Sequence, residues 1–205
     1  MPDHQSITQR AVFRQIILDN QIIAIMRDTN ADGFVEACHA LVEGGVSVME
    51  ITLNTQGALA AIQGARQSLP EGVLIGGGTV LSVDQVREVV GAGGQFIVSP
   101  NLDLAVVAEC ARLDVPVLPG AMTATEIQLA WSKGADLVKV FPAEQLGPKY
   151  IKNVLAPLPH LKLAPTGGVN IDNIGQWLSA GAAGLGIGSN LVSGAAAKRG
   201  AFDEI

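Results

Sequence analysis

Cysteine is scarce in this 205-residue chain: Cys38 and Cys110 each stand inside an apolar helical pattern, and neither belongs to a C-x-x-C pair. They are expected to pack as small hydrophobes in a reducing compartment, and no chemistry is assigned to them. Charge is thin as well, at 16% Asp, Glu, Lys and Arg, with no Lys/Arg run and a net charge of −6. That balance speaks against a nucleic-acid partner while leaving room for a small anion held locally. Only three histidines occur, His4, His39 and His160, and none ends a strand-like run. A metal-dependent site wants several His, Asp or Glu side chains converging on one mouth, so no metal is expected. No apolar run approaches the ~20 residues of a membrane span. The opening MPDHQSITQR lacks the basic-then-apolar layout of a signal peptide, so a cytoplasmic protein with no membrane partner is expected. Rossmann and Walker A signatures are missing too.

What the chain does have is apolar residues, 48% of it, and 24 glycines, which together describe a large core with many tight turns. Its length predicts a single domain over residues 1–205. Apolar pairs Val12/Ile16 and Phe13/Ile17 predict a short N-terminal helix within residues 1–20. From residue 21 the pattern alternates. Strand-like runs at 21–27, 47–53, 73–80, 96–100, 116–121, 137–142, 162–167 and 184–189 are separated by helical spacings such as Phe34, Cys38, Leu41, Val42. Ser82-x-x-Gln85 and Thr123-x-x-Glu126 read as capping boxes. Eight βα units with strands apolar on both faces predict an α/β fold, a closed (β/α)8 TIM barrel, with a doubly wound sheet as the alternative. After GSNLV only SGAAAKRGAFDEI remains, so the last helix is expected to be short or truncated.

The sixth run, LVKVFPAE (137–144), contains a lysine where a buried strand wants none. Alternation puts Leu137, Lys139 and Phe141 on one face and Val138 and Val140 on the other. A lysine in an interior gives up its proton more readily and becomes a nucleophilic amine, whereas one near a strand end simply snorkels to water. Both readings are open on spacing alone. The second run places Glu50, Thr52 and Asn54 on one face, and Glu50 is either a proton shuttle beside Lys139 or a structural ion-pair partner. In such a barrel the chemistry lies at the C-terminal strand ends. Those ends deliver Arg27, the stretch Gly76-Gly77-Gly78-Thr79, Ser99-Pro100, Pro119-Gly120, Phe141, Thr166-Gly167-Gly168 and Gly188-Ser189. Glycines 167, 168 and 188 with Ser189 sit where barrels frequently bind phosphate, though glycine serves a plain tight turn equally well.

The words around these residues are specific. KVFPAE, with MEITLNT (49–55), IGGGTVL (75–81), FIVSPNLD (96–103), VLPGAMTATE (117–126), PTGGVN (165–170) and GIGSNLV (186–192), resembles the class I aldolases that cleave 2-keto-3-deoxy-6-phosphogluconate (KDPG) or its galactonate epimer. The resemblance runs in order from Ile22 to Val192. It implies Lys139 as the Schiff-base lysine and Glu50 as the proton shuttle. It further implies a substrate-binding set of Arg27, Asn54, Thr79, Pro100, Phe141 and Thr166, and a phosphate site at Gly167, Gly168, Gly188 and Ser189. No cofactor is implied beyond the covalent imine. The small-molecule partners would be a phosphorylated 2-keto-3-deoxy sugar acid and pyruvate, and the assembly a homotrimer. Asn54 with Arg27 resembles the galactonate branch, while Thr166 resembles the gluconate branch. The reading adopted is the gluconate substrate, cleaved to pyruvate and glyceraldehyde 3-phosphate in the Entner–Doudoroff route. The galactonate epimer and 4-hydroxy-2-oxoglutarate are the alternatives. More distant alternatives are a barrel synthase or epimerase, which would not need Lys139 inside, and a non-catalytic binder of phospho-sugar acids.

Overall fold

The computed structural model describes residues 8–27, 31–192, 196 and 199–205. The first element is helix α1 (Gln9–Asn20), started by the Thr8 hydroxyl, which accepts from the Ala11 N–H. It stops at Gln21, whose left-handed φ of 60° returns its N–H to the Ile17 carbonyl. Ile17 is fully buried and Phe13 and Ile16 pack beside it, whereas Val12 faces solvent. The helix therefore rolls slightly from the face that its apolar pairs suggested. An ion pair fixes that roll. Arg10 donates through Nε to both Asp136 oxygens at 3.1 and 3.0 Å and through a terminal nitrogen at 2.8 Å. Asp136, itself buried, also accepts the Val117 N–H at 2.9 Å.

After α1 the chain alternates as its periodicity predicts. The elements are β1 (Ile22–Met26), α2 (Ala31–Glu43), β2 (Val48–Thr52), α3 (Ala58–Ser68), β3 (Leu74–Gly78), α4 (Val83–Gly91), β4 (Ile97–Val98), α5 (Leu104–Arg112), β5 (Val117–Leu118), β6 (Gly120–Ala121), α6 (Ala124–Ser132), β7 (Val138–Val140), α7 (Gly147–Leu155), β8 (Leu163–Pro165), α8 (Ile174–Ser179) and β9 (Leu185–Ile187). Each of the eight runs contains a strand. The fifth is cut into β5 and β6 at Pro119, which has no N–H to give a ladder. All strand pairings are parallel. Six strands lie in the order β5-β4-β3-β2-β1-β9 and three in the order β6-β7-β8. One bridge, Thr166 to Gly186, links the second set to β9.

The two sets share one inner face. Ile23, Val48, Leu74, Phe96, Val98, Leu118, Leu137 and Ala164 form a single buried cluster drawn from both, with Ile17 of α1 lying against it. Side chains of opposite parity, such as Met49, Ile75 and Val117, pack outward against the helices. The inner face of β9 is unlike the others, because positions 184, 186 and 188 are all glycine. Cβ atoms added there would point at Leu137 and Ala164, at Thr166, and at Ile25.

Local stop and start signals are mostly where the sequence puts them. Thr123 and Glu126 make a full capping box on α6. At α4 the Ser82 hydroxyl accepts from Gln85 N–H, but the Gln85 side chain takes the N–H of Leu81 instead of Ser82, so that box is half formed. The expected short last helix falls partly on residues 193–195 and 197–198, outside the described residues. Beyond them Phe202 and Ile205 pack back on the main core. Among the described residues no helix is long and apolar enough to cross a membrane.

Candidate active site

Lys139 does point inward. It sits mid-strand on β7, in register with Gly120 of β6 and Ala164 of β8, two residues small enough to leave a long side chain its space. Lys139 is 7% exposed and Glu50, reaching inward from β2, is 1% exposed. Lys139 Nζ lies 3.8 Å from Glu50 Oε1, too long for a direct hydrogen bond, so the two meet as charges. The Phe141 ring also meets the amine, its centroid 5.2 Å from Nζ, within cation–π range. Burial pushes the Glu50 carboxyl above the usual carboxylate range, and the positive charges of Lys139 and then Arg27 pull it part of the way back.

Beside this pair opens a cavity of about 320 Å3 at the C-terminal strand ends. Among the residues of its wall are Arg27, Phe141, Thr166, Gly167, Gly168, Gly188 and Ser189, seven of the twelve expected site residues. The Gly167-Gly168 turn has left-handed φ of 95° and 74°, which a side chain resists. Asn173 donates to the Gly168 carbonyl at 2.8 Å and Asn190 to the Val169 carbonyl at 3.0 Å. The N–H groups of Gly168, Val169, Ser189 and Asn190 donate to no acceptor among the described residues. Free N–H groups on a glycine turn form an anion cradle.

Five expected residues lie off this wall. Lys139 and Glu50 do not line the cavity; Phe141, which does, has its ring centroid 5.2 Å from Lys139 Nζ. Thr79, at φ 57°, and Pro100 flank the neighbouring strand ends β3 and β4 and are half-buried. Asn54 departs from expectation. β2 ends at Thr52, where the Thr55 N–H turns back to the Thr52 carbonyl at 3.0 Å, so Asn54 sits in an exposed turn and does not share the inner face with Glu50. Thr52 itself is occupied structurally, its hydroxyl bonding the Met26 carbonyl and the Thr55 hydroxyl. Ile25, Val169, Gly186, Asn190 and Val192 also line the cavity. The sequence reading did not single them out, although Gly186, Asn190 and Val192 lie within the GIGSNLV segment.

Among the described residues no group of three or more His, Cys, Asp or Glu side chains could hold a metal ion. His39 is on an exposed helix face and His160 lies tilted against Trp131, ring centroids 6.1 Å apart. His4 lies outside the described residues. Cys38 and Cys110 are buried, and burial pushes both thiols up to about 12, which leaves them inert.

Comparison with known proteins gives the family. The family model for KDPG and KHG aldolase matches residues 13–205. A 2-dehydro-3-deoxy-phosphogluconate aldolase of Treponema pallidum is 38% identical over 160 residues, 78% of this chain and 76% of the relative. A 2-dehydro-3-deoxy-6-phosphogalactonate aldolase of Escherichia coli is 37% identical over 171 residues, 83% of each chain. The crystal structure of KDPG aldolase from Legionella pneumophila, with pyruvate captured as a covalent carbinolamine intermediate, superposes with a TM-score of 0.86. That pair is 28% identical and covers 92% of each chain. The protein is an aldolase, a carbon–carbon lyase of α/β fold with parallel strands. The chain belongs to the KDPG and KHG aldolase family.

Proposed function

We propose that the protein cleaves 2-keto-3-deoxy-6-phosphogluconate to pyruvate and glyceraldehyde 3-phosphate through a Schiff base on Lys139. The observation that carries this is the buried Lys139–Glu50 pair, 3.8 Å apart, together with a cavity lined by Phe141 and by a glycine turn whose N–H groups find no acceptor among the described residues. Once its proton has been given up, the Lys139 amine attacks the C2 ketone, and the carbinolamine takes up a proton on its hydroxyl and loses water to leave the iminium. Glu50 takes the proton from the C4 hydroxyl as the C3–C4 bond breaks. The electron pair flows to C3 as an enamine while the aldehyde departs. Protonation at C3 and addition of water then return pyruvate and the free amine. A carboxyl whose proton affinity is raised by burial is suited to accepting and returning that proton near neutral pH. The glycine turn and Ser189 would hold the phosphate, and Arg27, with Thr79 and Thr166, the carboxylate end. The cycle needs no cofactor.

Incubation with pyruvate and borohydride should leave one adduct per chain, on Lys139, by peptide mass. An unmodified chain, or an adduct on Lys149 or Lys152 of α7, contradicts the mechanism. A second reading, the galactonate epimer, is favoured by Arg27 lining the cavity. Comparing kcat/KM for the two epimers decides between them. We further infer that the two parallel sets close into one (β/α)8 barrel forming a single cytoplasmic domain that assembles as a trimer. Closure is supported by the Thr166–Gly186 bridge, the run of chain through Pro119 and the shared inner cluster.

A further inference from the structure

Three consecutive glycines end β3, and none of them has the left-handed φ that would require glycine. Glycine within a strand weakens it, and often marks a place where another group approaches closely. Each of the three has a different neighbour. A Cβ on Gly76 would lie 2.7 Å from the Phe96 ring in the inner cluster, and one on Gly77 would lie 2.5 Å from Val89 Cγ2 of α4. Those two serve packing. A Cβ on Gly78 would lie 3.0 Å from Glu50 Cδ, 3.0 Å from Glu50 Oε1 and 3.0 Å from Thr52 Cγ2. In the ladder Gly78 stands opposite Thr52, and Glu50 stands opposite Gly76. The Glu50 side chain therefore leans one residue pair towards the cavity end and rests its carboxyl against the bare backbone of Gly78. The oxygen resting there is Oε1, the same atom that faces Lys139 Nζ.

We propose that Gly78 is a positioning residue for the aldol reaction: its missing side chain is the notch that lets the Glu50 carboxyl reach Lys139. The inference rests on Glu50 being the proton-transfer group. Gly78 contributes no chemistry of its own.

The test is a double-mutant cycle of Gly78→Ala in the wild-type and Glu50→Ala backgrounds, with Glu50→Gln and Gly77→Ala alongside. In wild type the added methyl displaces Oε1, and a few tenths of an ångström at a reacting group should lower kcat about tenfold with KM little changed. Oε1 also loses some of the Lys139 attraction that lowers its proton affinity, so the acid limb of the kcat profile should move to higher pH. In Glu50→Ala the carboxyl is gone, and Gly78→Ala should cost nothing further in rate, with only the smaller stability loss that the Thr52 contact imposes. Gly77→Ala should destabilise through Val89 and leave the pH profile in place. If Gly78→Ala fails to fold but folds when combined with Glu50→Ala, the clash lies on Glu50 and the notch stands. Equal losses in both backgrounds place the effect on Thr52 or the strand and overturn the proposal. So does a wild-type rate and profile in Gly78→Ala while Glu50→Gln is impaired. Unimpaired Glu50→Gln instead refutes the role given to Glu50 itself.

Discussion

Replacing the buried pair with apolar residues of similar shape, Lys139→Met with Glu50→Met, should abolish turnover and make the protein more stable. At 3.8 Å and an effective dielectric near 20 the two charges attract by about 4 kcal/mol. Removing each from water costs several kcal/mol, and at this separation no direct hydrogen bond forms between them to offset it. Desolvation wins, as the upward displacement of the Glu50 carboxyl independently indicates. Apolar replacement of such pairs is neutral or stabilising by about 1–4 kcal/mol, whereas removing one partner alone strands the other and costs about 3–5 kcal/mol. The double variant should therefore exceed wild type and each single variant fall below it, measured by urea unfolding at fixed pH. The pH dependence has a definite sign. Folded Glu50 binds its proton more tightly than unfolded Glu50, so its contribution to stability is full below about 4.5 and is lost as pH rises through the higher folded value. The advantage of the double variant should widen over the same window. A double variant clearly less stable than wild type would show that the pair is there to hold the fold, and would remove the main reason for placing catalysis on it.

Other perturbations separate chemistry from scaffold. Lys139→Arg should end cleavage and borohydride trapping, since a guanidinium stays protonated and forms no imine. Retained turnover in the purified variant would point to another nucleophile. Glu50→Gln should lower kcat by about 10²–10⁴-fold, the range for losing a general acid or base, with the decisive reading being the single-turnover rate. Arg27→Met should weaken transition-state binding by about 2–5 kcal/mol, read as kcat/KM, if Arg27 holds the substrate carboxylate. An unchanged value would make Arg27 a rim residue. Arg10→Met should lower unfolding stability by about 3–5 kcal/mol by stranding buried Asp136, with kcat unaffected because α1 lies at the opposite strand ends from the cavity.

The inward set was legible because alternation is a strong constraint. Lys139 and Phe141 on one face and Val138 and Val140 on the other follow from a period of two, and the structure keeps that parity. Glu50 followed for the same reason. Asn54 failed at the same rule, since alternation continues only while the strand does, and the turn at Thr52–Thr55 ends it two residues early. Contacts between distant segments left no local trace. Arg10 meets Asp136 across 126 positions, and each reads alone as an ordinary surface charge. The three β3 glycines stand in the sequence only as the end of the third strand-like run, and the packed structure assigns them separately to Phe96, Val89 and Glu50.

The all-glycine inner face of β9 also bears on how this enzyme can change. A wall made of hydrogen atoms cannot be thinned, so any variation at 184, 186 or 188 adds atoms and subtracts volume. The three positions do not share that freedom. A methyl on Gly186 runs into the Thr166 side chain, whereas one on Gly188 meets nothing nearer than Ile25 Cβ at 3.9 Å. Of the two glycines that line the cavity, 186 is closed and 188 is open, and variation at 188 leads only towards smaller substrates. Breadth of substrate range must come from the loops, because the strand has already given all the room it has.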